Sequence, residues 1–580
     1  MKRNFLLFLM MFVLMLQITF NSSTSLVSAN EDVRYMKGIE IVIKKDYEGI
    51  LTLLTGEEHE VSVIATYLNG ETKDITDKVE WWNSKKRVEV IGNKIVAKEE
   101  GMTDITAFYG LPDLGFTDSE HLKIVKKPTI NPYENKNREL LYEMQDEAIN
   151  YINNIKKEMG FNKESYFQKN EKLNMAAQAH SNYLQMNQTS GHHEEKTKEG
   201  YTGESAYDRV QAFGGHSFSG EGISFSHGGI TEGIDNLIDA PFHRDPLISG
   251  TNEVGIGFNP GTYGSTVVDY AYKHFENYKP KFQYIVYPYP NQRNAKSKWF
   301  VAESPNPLEY YGIDGIEVGY PISVWVSNTY TLKNIKAVLK EKKRNKEKDI
   351  PFYLVDSITS KYQDQDRFFI IPKRPLQEST LYQVKFSADQ ITDPEGKNKK
   401  KINYEWSFTT EASVNSISIK NEEIKLKVNE PKTVKVVANL TDGTKKTISP
   451  FATYSIQDKE IVRVFGDRLI GQKKGTTKLS VYYDGQWTST QIQVEEEKIQ
   501  RLEFSKKKIA IKKGESAQLI LYAVLEDNSK KDITKESEFV TLNPKICRID
   551  KDSVVSLSKG STKIKGKYKD FQVSINISVK

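Results

Sequence analysis

The sequence predicts a multidomain chain in which one α+β unit is flanked by all-β sandwiches. Three observations predict it. A short motif recurs three times at matched spacing, alternating apolar runs separated by Gly, Asp, Asn and Lys fill most of the chain, and between them lies one stretch with helical periodicity. At 580 residues there is room for about four domains of ordinary size.

The first segment, 1–29, reads as a secretory signal peptide: Lys2 and Arg3 precede an apolar run from Phe5 to Phe20, and Val27-Ser28-Ala29 places small residues at a cleavage site. The mature chain is expected to begin near Asn30. No later segment approaches the ~18 consecutive apolar residues that span a bilayer, so the mature protein is expected outside the cell, secreted or held non-covalently at the wall. Cys547 is the single cysteine, which excludes an intramolecular disulfide. Such scarcity in an exported, lysine-rich chain fits a Gram-positive bacterium.

Three β-units follow from the repeats, at 30–128, 413–495 and 496–580. The first carries Asp74-Ile75-Thr76 with Gly101 27 residues after Asp74. In the second, Thr447-Ile448-Ser449 precedes Gly475 by 28 residues from Thr447, and in the third, Asp532-Ile533-Thr534 precedes Gly560 by 28 residues from Asp532. Runs such as KLSVYY and QVSINISV alternate apolar and polar residues, which is the pattern of a half-buried strand in a small sandwich. These units resemble the group 2 bacterial Ig-like domains, whose late motif matches Gly475-Thr476-Thr477-Lys478-Leu479. A fourth β-rich stretch, 306–412, has Pro375-Leu376, Thr380-Leu381-Tyr382-Gln383-Val384 and Trp406-Ser407-Phe408-Thr409-Thr410, and resembles the Ig-like modules of bacterial surface-layer proteins.

The α+β unit is expected over 133–305. From Asn137, apolar residues recur as Leu141, Met144, Ala148, Ile152, Ile155 and Met159 before Gly160, an amphipathic helix with a glycine stop. A second helix over about 171–187 places His180 on its apolar face. Two shorter helical patterns follow, and EVGIGF (253–258), TVVDYAY (266–272) and FQYIVYPY (282–289) read as strands of the same unit.

This unit also holds seven of the nine histidines, all between His180 and His274. Imidazole is the commonest metal ligand and the side chain that titrates nearest neutrality, so the local excess marks a candidate site. His193-Glu194-Glu195-Lys196-Thr197 lacks the second histidine of a zincin helix, and Ser219 breaks the nucleophile elbow begun by Gly215-His216-Ser217-Phe218. What remains is a dispersed set, His192, Glu221, His227 and His243, suited either to a divalent ion with open positions or to a polar cleft for acid-base work.

In order, AAQAHSNYLQMNQTSGHHE, YTGESAYDRVQAFG, GEGIS, LIDAPFHR and EVGIGF resemble the bacterial CAP-superfamily domains, relatives of cysteine-rich secretory proteins, antigen 5 and the plant pathogenesis-related proteins. The resemblance implies an α-β-α sandwich with a surface groove in which some members bind zinc or another divalent cation. By register it assigns the groove to His192, twelve residues after His180, with Glu221 and His243. The pattern is broken at Gly222, Leu237 and Ala240, where the family has asparagine, tryptophan and a second acid. Asp239, His227 or His180 would then complete a ligand set. His180 also reads as a satisfied helix histidine, and His193 is expected to be exposed.

Two functions follow as expectations, because membership of a fold does not settle activity. One is a secreted or wall-associated CAP-domain protein whose groove binds an unknown ligand or a divalent metal, displayed on Ig-like modules. The other is a structural or adhesion protein of the cell envelope with a vestigial groove. In either, the terminal segment 498–580, with 19 Lys and Arg against 10 Asp and Glu, is a basic module suited to an anionic wall polymer or surface glycan, or is a solvated lysine-rich surface. Nucleic acid is not expected as a partner. The segment 496–580 expressed alone should unfold in a single cooperative denaturant transition. A fragment lacking slowly exchanging amides would contradict this autonomy.

Overall fold

The computed structural model describes residues 33–43, 50–111, 114–134, 137–215, 218–226, 228–272, 282–344, 346–420, 423–496, 498–526 and 528–580. The expected signal peptide and His227 lie outside the described residues. The chain is multidomain and mostly β, and divides into two compact units: 1–418 with 436–453 and 482–486, and 419–435 with 454–481 and 487–580. No helix among the described residues is long and apolar enough to cross a membrane.

The repeated tripeptide has one structural job. In the first copy the buried Ile75 donates its N–H to the Val63 carbonyl, and the Val63 N–H returns to Thr76 Oγ1, both at 2.9 Å. Ile448 and Ser449 make the same pair of bonds with Val436, as do Ile533 and Thr534 with Leu521. The motif therefore needs an apolar residue to bury, followed by a hydroxyl to close the strand end. The glycine that follows starts a strand where a side chain has no room: a Cβ at Gly475 or Gly560 would fall 2.8 or 2.9 Å from Ile461 or Ile546. Each copy also pairs an early strand in parallel with its last, as Leu51–Leu54 does with 122–125 and 508–511 with 576–579.

Within the first unit, the α+β segment opens with α1 (Arg138–Glu158), capped by Asn137, whose side chain accepts the Leu140 N–H at 3.0 Å. Gly160 ends it in the left-handed region, φ 88°. Helix α2 (Glu171–Asn187) is capped by Asn170. Three further short helices, α3 (Ala206–Ala212), α4 (Ile230–Asp239) and α5 (Pro241–Ile248), flank strand β1 (Gly220–Ser224) in the chain. Strands β2 (Glu253–Asn259) and β3 (Ser265–Ala271) complete a sheet of order Gln168–Lys169, β2, β3, β1.

Glycines set the packing of this sheet. A Cβ at Gly255 would lie 2.1 Å from the Leu173 backbone and one at Gly257 2.1 Å from the Ala177 carbonyl oxygen, so α2 rests directly on the β2 backbone. Gly233 of α4 meets Thr266, which pairs with Phe258 and so points away from the Gly257 side. Helices α2 and α4 thus cover opposite faces.

The third strand read into this unit belongs elsewhere. Strand β4 (Tyr284–Tyr287), within FQYIVYPY, pairs antiparallel with β5 (Ile322–Val326) in the sheet β4-β5-β7-β6, where β6 is Phe352–Val355 and β7 is Arg367–Pro372. The following sandwich therefore starts near 284 and not at 306, because alternation identifies a strand and its buried side but not its neighbour. The second sheet of that sandwich has the order Lys346–Asp349, Thr331–Lys343, Leu381–Ile391, Lys399–Thr409, and Val324, Phe368, Phe386 and Trp406 lie in the shared core.

Arg244 of α5, fully buried, joins this sandwich to the α+β segment. Its Nη1 donates to the Pro321 carbonyl at 2.7 Å and to Ser323 Oγ at 2.9 Å, its Nε to the Ile238 carbonyl at 2.5 Å, and its guanidinium lies 4.8 Å from the Tyr287 ring centre. Beside it Arg367 pairs with Asp245 at 3.0 Å, and Phe242 meets Phe369 edge-on.

Replacing Gly257 by Ala should destabilise the protein by ~3 kcal/mol or more, since the added carbon meets backbone with no rotamer to relieve it. Gly38→Ala, where nothing lies within 4 Å, should change stability by less than ~0.5 kcal/mol. Equal denaturant midpoints for the two variants would contradict the packing.

Candidate functional site

The site is built around Arg209. The reciprocal capping box of Ser205 and Asp208 fixes the start of α3, which carries Arg209 into the interior with no exposed surface. Its Nη2 donates to both oxygens of Glu221 at 2.9 and 2.7 Å, its Nη1 to the His192 carbonyl at 3.0 Å, and its Nε lies 3.8 Å from Glu194. Glu221 stands on β1 and is buried, and its Oε1 is 2.8 Å from Nδ1 of His192. The His192 side chain itself is 45% exposed. The result is a surface imidazole oriented from behind by a buried, arginine-bound carboxylate.

His180 supports this arrangement from α2. Its Nδ1 is 2.9 Å from Glu194 Oε1 and its Nε2 2.9 Å from the Gly191 carbonyl. Both partners accept hydrogen bonds, so a ring donating from both nitrogens satisfies them. Glu194 Oε2 accepts the N–H groups of Thr202 at 2.7 Å and Gly203 at 3.3 Å, so the loop bearing His192 is tied down on both sides. His193 is exposed.

Burial alone would raise the Glu221 carboxyl, but the His192 hydrogen bond and the charges of Arg209 and His180 outweigh it and hold it down at about 2. Asp269 faces Glu221 directly across the β1–β3 pair. Its own burial and the Glu221 charge push it well above the carboxylate range, with Arg209 acting the other way. The pair is thus split, with Glu221 held toward its ionised form and Asp269 pushed toward its protonated form.

His243 is not part of this cluster. Successive residues of a strand point to opposite faces, and a Cβ at Gly222 would lie 3.5 Å from the His243 ring, so His243 occupies the face opposite Glu221. There its Nδ1 is 2.7 Å from Glu303 Oε1, which also accepts the N–H groups of Phe242 and His243 at the start of α5. Asp239 accepts the Tyr320 hydroxyl at 2.9 Å and pairs with Lys296, which also holds Asp235 at 2.7 Å. The expected ligand set is therefore divided: His192 and Glu221 meet, while His243 and Asp239 are engaged elsewhere and His180 is saturated.

These residues do not fit a shared zinc ion or other divalent cation. The Glu221 oxygens face a fixed guanidinium, and among the described residues no group of three or more His, Cys, Asp or Glu is placed to hold a metal. Sequence reasoning missed Arg209, Asp269, Glu194 and Glu303. Asp269 alone had a visible signal, a single acid inside the apolar strand TVVDYAY.

Residues 317–410 match the bacterial Ig-like domain family. That stretch supplies Tyr320, Ser323 and Arg367 to the seam with α4 and α5. No curated protein matches the chain. Among solved structures it is similar to domains 4 and 5 of the S-layer protein SbsC, at 16% identity over 29% of this chain and 99% of that one, TM-score 0.19. It covers 52% of a longer SbsC structure, at 12% identity over 45% of this chain with a TM-score of 0.17. The endo-fucoidan hydrolase MfFcnA4 of glycoside hydrolase family 107 is similar at 10% identity over 45% of this chain and 41% of that one, TM-score 0.26. At TM-scores this low none of these likenesses bears on function.

Arg209→Met should cost ~3–5 kcal/mol near neutral pH, because it leaves Glu221 and Glu194 buried without their cation. Asp269 behaves oppositely. With a raised folded-state value, its contribution to stability is full below the unfolded carboxyl range and is lost as pH rises through the folded value. Asp269→Asn should therefore melt above the wild type at about pH 8 and alongside it at about pH 4. A variant less stable at both would show that the carboxyl group itself is required and would contradict this pH dependence.

Proposed function

We propose that the chain is an exported structural or adhesion protein of the bacterial cell envelope, in which a CAP-type unit is held rigidly among Ig-like modules and its groove is vestigial. The observation that carries this reading is the seam at Arg244. The side chains that the family resemblance assigns to or beside the groove, His243 and Asp239, are spent on Glu303, Lys296 and Tyr320. The bacterial Ig-like match over 317–410 supports the same class of protein, as does the basic segment 498–580, which offers an anionic wall polymer or surface glycan a complementary charge.

A second reading, a small-ligand groove, rests on His192. Its exposed ring, held at Nδ1 by Glu221, leaves one nitrogen to accept or donate a proton. Pull-down of the full chain on purified cell walls separates the two. Retention should fall sharply between ~0.1 M and ~1 M salt, as the Debye length shrinks from ~10 to ~3 Å, and should be the same for His192→Ala. Retention that ignores salt would contradict the charge-based reading, and retention lost in His192→Ala would favour the groove.

A further inference from the structure

The three repeats share one architecture, so the outer faces of their four-stranded sheets can be compared position by position. The C-terminal repeat has the sheet β8 (Lys508–Ile511), β11 (Phe571–Val579), β10 (Gly560–Tyr568), β9 (Glu538–Thr541), in that order. Along β10, Ile564 and Gly566 are buried, so Lys563, Lys565 and Lys567 all point outward. The corresponding outward positions of the second repeat, in Gly475–Tyr483, hold Thr476, Lys478, Ser480 and Tyr482. In the first repeat, the aromatic pair Trp82 and Phe108 stacks at 5.4 Å, with Trp82 exposed. The lysine row is therefore a property of this copy and not of the fold.

The neighbours of the row are suited to a polyanion. Across the β10–β11 pair, Lys563, Lys565 and Lys567 stand opposite Asn576, Ser574 and Gln572, all exposed and neutral. Lys508 lies beyond Asn576 in the same rank. Among the described residues no carboxylate is ion-paired to any of these four lysines, although Glu538 stands across from Lys567 at one end. Beside Lys565 on the other edge is Val540, 55% exposed.

We propose that this face is a docking surface for a linear polyol-phosphate chain. Outward residues of a strand repeat every ~6.8 Å, and six backbone bonds between successive phosphorus atoms of a three-carbon polyol phosphate give an extended repeat of about 7 Å. Each lysine then meets one phosphate as a point charge. The amides and hydroxyls of β11 donate to phosphate and polyol oxygens, and Val540 lies against the carbon backbone. This deepens the reading of a wall-associated protein and rests on it, naming the polymer and the residues that receive it.

The test uses the full chain and purified poly(glycerol phosphate). Lys563→Gln/Lys565→Gln/Lys567→Gln should lose about tenfold in affinity and about two units of the salt slope, at roughly 0.7 per phosphate contact on a flexible single chain. A control that removes the same charge from elsewhere in the module, Lys535→Gln/Lys545→Gln/Lys559→Gln, should lose less than half as much on the logarithmic scale. Equal losses in the two triples would overturn the face and leave only diffuse attraction. Equal affinity of the wild type for polygalacturonate, whose charges are more closely spaced, would overturn the matched repeat. A wild type that binds purified walls but not poly(glycerol phosphate) would overturn this proposal while leaving the envelope reading in place. Failure to bind walls at low salt would overturn both.

Discussion

A guanidinium buried without partners is costly, and the position of Arg244 follows from that constraint. Two of its partners, Ile238 and Asp239, lie at the end of α4, and two more, Pro321 and Ser323, lie in the sandwich that follows. Its guanidinium carbon also lies 4.8 and 5.0 Å from the ring centres of Tyr287 and Tyr320. Removing either side would strand a buried charge, a loss of ~3–5 kcal/mol. The α+β segment and the sandwich at 284–410 therefore form one mechanical piece, and the pair Asp245 with Arg367 and the contact of Phe242 with Phe369 reinforce the same seam.

Arg209 plays the matching role inside the α+β segment. It holds Glu221 and approaches Glu194, and through them it fixes the two ends of the loop that carries His192 and His193. Of these neighbours only His192 is aimed by a carboxylate. Two buried arginines thus divide the polar residues of this segment: one set orients a surface imidazole, and the other anchors a neighbouring module. The same division explains why His192 and His243 do not meet in space.

Much of the fold was legible wherever a local rule decides. The second helix read at about 171–187 is Glu171–Asn187, because its apolar stripe is continuous and Asn170 caps it. The three repeats showed in sequence because each must bury one isoleucine and place one hydroxyl behind it. Other features depend on distant partners that periodicity does not name. The strand in FQYIVYPY was visible, but its pairing with Ile322–Val326 was not. His243 follows Glu221 in motif order, yet the two-residue alternation at Glu221 and Gly222 puts them on opposite faces of the sheet. Glu303, which holds His243, is 60 residues away and carries no signal of its own.

Through Arg244 the α+β segment and the sandwich beyond it act as one structural piece. Hydrogen exchange of the full chain in moderate denaturant tests it most directly, by following amides of β2 and β7. In the wild type both strands should lose protection at the same denaturant concentration, and Arg244→Met should separate them so that β2 opens first. Independent opening of β2 and β7 in the wild type would contradict the account.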